Sequence, residues 1–177
     1  MSIITQIKNG DEEVFAELIE QYKLPIYKTA KAILKDEDDV CDAIQDTALS
    51  IYKNIKNLKN EKYFKTWVIR ITINKCYDII AKRKLNDEKI LKVQTQITEM
   101  HDSFDNNVIV KTDLERTLDL LEEDLRTITV LYYYNDLSIS EISDILNIPK
   151  GTVKSRVFRA REKLYEILSK EEVDTNE

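Results

Sequence analysis

Six basic residues, Lys150, Lys154, Arg156, Arg159, Arg161 and Lys163, fall between positions 150 and 163 and are opposed there only by Glu162. Cationic and hydroxyl side chains at helical spacing suit phosphates and base edges in a major groove. The formal net charge of the chain is -6, so a basic helix on this acidic protein calls for an acidic partner, and nucleic acid fits best. Catalytic chemistry finds little support. The cysteines, Cys41 and Cys76, form no CxxC, His101 is the only histidine, and the carboxylates lie scattered on helices, so neither enzyme activity nor a metal or other cofactor is expected.

The elements that carry the basic residues follow from the segment Leu137 to Leu164, LSISEISDILNIPKGTVKSRVFRAREKL. It reads as two short amphipathic helices joined at Asn147-Ile148-Pro149, a helix-turn-helix. Ser138 and Glu141 have capping-box spacing, and Ile142, Ile145 and Leu146 supply the first buried stripe. Pro149 suits the start of the next helix, in which Val153, Val157, Ala160 and Leu164 point inward. Lys154, Ser155, Phe158, Arg159 and Glu162 then point outward, with Arg156, Arg161 and Lys163 on the flanks.

The rest of the 177-residue chain is 42% hydrophobic with two Gly and two Pro, a composition that predicts an all-α protein of two small helical domains joined by a flexible linker. A first helix is marked by Phe15, Leu18, Ile19 and Tyr22, and a second, beyond Pro25, by Ile26, Ala30, Ile33 and Leu34. A third runs from about Asp38 to Ile55. A fourth, from about Tyr63 to Lys82, is apolar nearly all round and must be largely enclosed. Residues 1–85 form the first lobe, 86–110 the linker with a short helix near Ile90 to Val93, 111–170 the second lobe and 171–177 a frayed acidic tail. Two helices precede the helix-turn-helix, and Tyr132, Tyr133 and Tyr134 read as one core ring and two surface rings. Cys41 and Cys76 read as buried free thiols of a reducing cytosol. No signal peptide or membrane span is visible, which predicts a soluble, cytoplasmic protein rather than a membrane protein.

Charge is segregated in the first lobe as well. Asp36, Glu37, Asp38, Asp39, Asp42 and Asp46 form an acidic run without a base, whereas Lys53 to Lys84 holds ten bases opposed only by Glu61 and Asp78. The acidic start suits a helix dipole, but the basic run points to a second nucleic-acid contact.

Together these segments resemble the bacterial extracytoplasmic-function sigma factors, small initiation subunits of RNA polymerase. EISDILNIPKGTVKSRVFRAREKL looks like the family's region 4.2, DEDDVCDAIQDTALSIYKNI at 36–55 is similar to region 2.2, and YFKTWVIRITINKCYDIIAKRK at 63–84 looks like regions 2.3 and 2.4. Two departures stand out: Glu122-Glu123 follows Leu121 where the family commonly has a proline, and the loop Leu58 to Lys62 is lysine-rich.

The resemblance implies docking of Asp39, Asp42, Gln45 and Asp46 onto the clamp helices of the largest polymerase subunit. It assigns Lys59, Lys62, Lys65, Asn74 and Arg83 to the melted strand of the promoter's minus-10 element. It places the second lobe on the flap of the other large subunit, reading the minus-35 element through Lys154, Ser155, Phe158 and Arg159, with Arg156, Arg161 and Lys163 on phosphates. It further implies an anti-sigma factor, possibly membrane-tethered, supplied in trans. Trp67 shares a stripe with Phe64 and Ile71 and reads as core. A stand-alone helix-turn-helix regulator is the main rival; it leaves the split polarity of the first lobe unexplained. A recombinase would need a nucleophile or metal cluster that the first lobe does not display.

Overall fold

The computed structural model describes the backbone of residues 2–93 and 113–174 and the side chains of 2–86 and 115–169. Short polar side chains satisfy the orphan N–H groups that open each early helix: Ser2 caps α1 (Ile3–Lys8), Asp11 caps α2 (Glu12–Ile33) and Asp36 caps α3 (Glu37–Asn54). Two single 3₁₀ turns, Ile55–Asn57 and Glu61–Tyr63, then lead into α4 (Phe64–Val93). The second lobe is built from α5 (Asp113–Asp119), α6 (Glu123–Thr129), α7 (Ile139–Leu146) and α8 (Lys150–Asp174). Among the described residues there is no strand.

Pro25 does not divide two helices; α2 runs straight through it. A mid-helix proline forfeits one hydrogen bond and costs about 3 kcal/mol. Here Leu18 on one side and Ile26, Ala30 and Ile33 on the other are all buried, and that burial, at about 1.5–3 kcal/mol for each large side chain, outweighs the loss. The carbonyl deprived of its donor belongs to Gln21, which is exposed, so water can serve it. Helix α1, whose Ile4 and Ile7 enter the first lobe's core, is too short for its periodicity to register in the sequence. Gly10, at φ +95, makes the turn into α2, a conformation glycine adopts at no steric cost.

Helix α4 continues past the expected boundary to Val93, through the short helix expected near Ile90, and α8 runs to Asp174, into the tail read as frayed. The remaining linker residues, with His101, and the last three residues lie outside the described chain. Glu122-Glu123 nonetheless opens α6 where the family has a proline: α6 starts at Glu123 without a side-chain cap on its first N–H groups, because the Glu122 carboxylate turns to Lys163 Nζ at 2.7 Å.

Three apolar clusters hold the molecule. One belongs to the first lobe and includes Ile26, Ile51, Phe64 and Val68; a small one, Leu121, Leu125 and Ala160, belongs to the second. The third is common to both lobes. Ile33, Val40, Ile69, Ile73 and Cys76 of the first pack with Ile128, Leu131, Leu137, Ile142, Ile145 and Val153 of the second. This packing encloses α4, as its all-round apolar character requires.

Cys41 departs from expectation, for it is exposed, whereas Cys76 is fully buried. Burial pushes the Cys76 thiol up to about 12, so it stays protonated at neutral pH and unreactive. Iodoacetamide at neutral pH is therefore expected to add one group to the native chain, at Cys41, and two once guanidinium unfolds it; intact-protein mass spectrometry reads both. Native modification of Cys76 would contradict the packing.

Candidate nucleic-acid interface

The capping box that starts α7 is complete: Glu141 N–H donates to Ser138 Oγ, and the Glu141 carboxylate accepts from the Ser138 N–H at 2.9 Å. Asn147 ends the helix in the left-handed region at φ 53, which asparagine tolerates better than most residues. Val153 and Ala160 are fully buried and Val157 and Leu164 partly so. The opposite face of α8 thus presents Lys154, Ser155, Phe158 and Arg159 to solvent. Arg161 is exposed too, with its guanidinium 5.3 Å from the Phe158 ring centroid, a cation–π contact that steadies the ring.

Two of the flanking bases are engaged within the protein instead of standing free for phosphates. Arg156 pairs with Asp124 at 2.5 Å and Lys163 with Glu122 at 2.7 Å, tying α8 to the start of α6. Hydrogen bonding to Lys163 holds the Glu122 carboxyl below its ordinary range. Spacing along one helix cannot reveal a partner on another.

In the first lobe Lys59 and Lys62 lie exposed on the loop before α4, and Lys65 is half-buried at its start. Asn74 is exposed and lines an open groove of about 600 Å³ with Trp67, Ile71, Tyr77, Ser50 and Asn54. Trp67 packs against the core, its ring centroid 6.0 Å from that of Phe64, and also faces this groove. Reading it as core alone misses that second surface. Mixed aromatic and amide walls of this kind suit unstacked bases.

Arg83 does not join this set. Its guanidinium lies 2.7 Å from Asp39 and 3.5 Å from Asp36, and it lines a separate groove of about 370 Å³ with Asp39, Asp42, Gln45 and Asp46. The four acidic-patch residues are therefore gathered as expected, but not equivalently. Asp42 and Gln45 are exposed and Asp46 half-buried, whereas Asp39 is nearly buried. Burial raises the Asp39 carboxyl above its ordinary value, against the pull of Arg83.

Sequence reasoning gave no role to Thr66, Arg70 or Arg126. Arg126 is buried and donates from Nε to the Ala32 carbonyl at 2.8 Å; a lone arginine in a first helical turn carries no signal of that contact. Tyr132 is partly buried against the common core, while Tyr133 and Tyr134 are exposed, the division expected of the three rings. No described helix is long and apolar enough to cross a membrane.

Known proteins share this pattern. The Sigma-70 region 2 family matches residues 18–85 and the Sigma-70 region 4 family residues 111–164. The chain is 34% identical over 173 residues to the ECF RNA polymerase sigma factor SigW of Bacillus subtilis, covering 91% of this chain and 92% of that protein. It is 30% identical over 174 residues to the ECF RNA polymerase sigma-E factor of Haemophilus influenzae, covering 91% and 90%. In fold it is similar to the sigma factor RpoE solved with the anti-sigma factor NepR from Bartonella quintana, with a TM-score of 0.66 at 23% identity over 86% of this chain and 97% of that one. CnrH, solved in complex with the cytosolic domain of CnrY, gives a TM-score of 0.64 at 23% identity over 94% and 95%.

Proposed function

We propose, from the premise that this chain belongs to the extracytoplasmic-function sigma factors of RNA polymerase, a division of labour among its surfaces. As a member it directs promoter-specific transcription initiation, and the geometry supports particular residues for each step. Asp42, Gln45 and Asp46 meet the clamp helices of the largest subunit, with Asp39 held behind them by Arg83. The exposed face of α8, Lys154, Ser155, Phe158, Arg159 and Arg161, reads and grips the minus-35 duplex. Lys59, Lys62 and Lys65 track the phosphates of the melted minus-10 strand while the groove at Asn74 and Trp67 takes a base. Arg156 and Lys163 act chiefly within the protein.

The second lobe sits on the flap of the other large subunit. An anti-sigma factor restrains the chain in the cytoplasm, and the chain itself performs no catalysis. One observation carries the site assignment: the two DNA-facing surfaces and the acidic groove occupy separate faces, so one molecule can hold all three partners. Run-off transcription with core polymerase on genomic DNA tests it, and transcription from no promoter class would overturn it.

Alanine at Lys59, Lys62 and Asn74 together is expected to leave minus-35 duplex binding within twofold while reducing strand opening at least tenfold. The charges removed face the single strand, where lysines and base pockets supply the affinity. Permanganate reactivity of promoter thymines measures this; unchanged opening would remove these residues from the mechanism.

A further inference from the structure

We propose that the α6–α7 face of the second lobe is a docking surface for the chain's own first lobe, and that this closure shields the strand-capturing surface while leaving the minus-35 face open. The inference rests on the assignment of the two DNA surfaces above. Thr66 Oγ1 donates to the Glu141 carboxylate at 3.0 Å, and Arg70 donates to the Asp144 carbonyl at 3.2 Å. These donors lie on either side of Trp67, and all three line a cleft of about 290 Å³ whose other wall is Glu141 and Asp144 of α7. Hydrogen bonds from Ser138 hold the Glu141 carboxyl below its ordinary range. It therefore offers the hydroxyl of Thr66 and the neighbouring Lys65 a charged oxygen, the chemistry of a phosphate.

Closure is held at three further points besides the common core. Asn135 Nδ2 donates to Thr29 Oγ1 at 3.0 Å, Arg126 donates to the Ala32 carbonyl, and Lys28 pairs with Glu115 at 2.5 Å. The buried Asn135 Oδ1 has no hydrogen-bond partner, which weakens closure and keeps it reversible. Lys154, Ser155, Phe158 and Arg159 meanwhile remain exposed. Elements named minus-10 and minus-35 stand about 25 base pairs apart, on the order of 85 Å of duplex at 3.4 Å per step. With α7 seated on α4 the two surfaces cannot be spread over that distance, so the chain must open to use both.

The experiment takes the full chain without polymerase and compares Lys28→Glu, Asn135→Asp and the charge swap Lys28→Glu/Glu115→Lys with wild type. Small-angle scattering reads closure, and fluorescence anisotropy reads binding to a single-stranded minus-10 oligonucleotide and to a minus-35 duplex from the promoter found by run-off. Wild type is expected to be compact. Each single variant should expand and bind the single strand at least fivefold more tightly, with duplex affinity within twofold of wild type, and the swap should return towards wild type. Asn135→Asp buries a charge, so retained duplex binding certifies its fold, and the less buried Lys28 supplies the independent variant. An extended wild type, failure of both single variants to expand, or expansion without gain on the single strand overturns the closure. Those outcomes with core-dependent transcription intact leave the sigma-factor surfaces standing; loss of wild-type transcription would instead overturn the surface assignments.

Discussion

Lysine at both Asp42 and Asp46 is expected to weaken binding to core polymerase at least thirtyfold, about 2 kcal/mol, while minus-35 duplex affinity stays unchanged. Both carboxylates face the groove shared with Gln45, and reversing them turns attraction into repulsion across an interface where close charge pairs are worth kilocalories. Asp39 is the wrong residue for this test. It is nearly buried and its carboxylate is paired with Arg83, so lysine there would set two cations together and disturb the α3–α4 packing itself. Asp39→Asn serves as the contrast, expected to loosen α3 from α4 and lower the melting temperature. Assembly of the Asp42→Lys/Asp46→Lys chain at wild-type affinity in moderate salt would remove the acidic groove from the polymerase interface.

Arg159→Ala is expected to cost about 1–3 kcal/mol at the preferred minus-35 sequence and to change the ranking of single-base variants. Arg161→Ala should weaken all sequences alike and lower the salt slope by about one. The two arginines are exposed on one helix, but a 100° step per residue from buried Val153 brings Arg159 to the outer face and Arg161 to its flank. Arg161 also sits over the Phe158 ring, so part of its loss is a less ordered contact surface. Arg156→Ala should behave differently again, lowering the melting temperature through the lost pair with Asp124 while sparing the ranking. Titrations against a set of single-base duplexes at two salt concentrations separate these outcomes. Reordering by Arg161→Ala but not by Arg159→Ala would reverse the orientation assigned to α8.

What could be read from the chain alone follows from what periodicity reports. The capping box at Ser138 and Glu141, the turn at Asn147 and the inward stripe of α8 depend on neighbours in sequence, and the structure has them as expected. Pro25 misled because its local penalty is offset by burial on both sides, which only the packed fold supplies. Arg156, Lys163 and Arg83 misled for a related reason: basic residues look alike in sequence until a carboxylate arrives from another helix. Thr66, Arg70 and Arg126 went unnoticed because their partners lie across the two lobes. Ile142, Ile145 and Val153 were legible as buried residues, yet a stripe tells which face is covered and not by what. Their covering is shared with Ile69 and Ile73 of the other lobe.

That sharing bears on transplantation. The helix-turn-helix looks like a cassette that could be exchanged between relatives to redirect promoter choice. Its base of Leu137, Ile142, Ile145 and Val153, however, is shaped to Ile33, Val40, Ile69 and Ile73. A grafted cassette brings a base fitted to a different seat, and close-packed interiors respond to differences as small as a methylene. The mismatch burdens the compact form and not the extended one, so a chimera acquires new sequence preference together with a weaker hold between its halves.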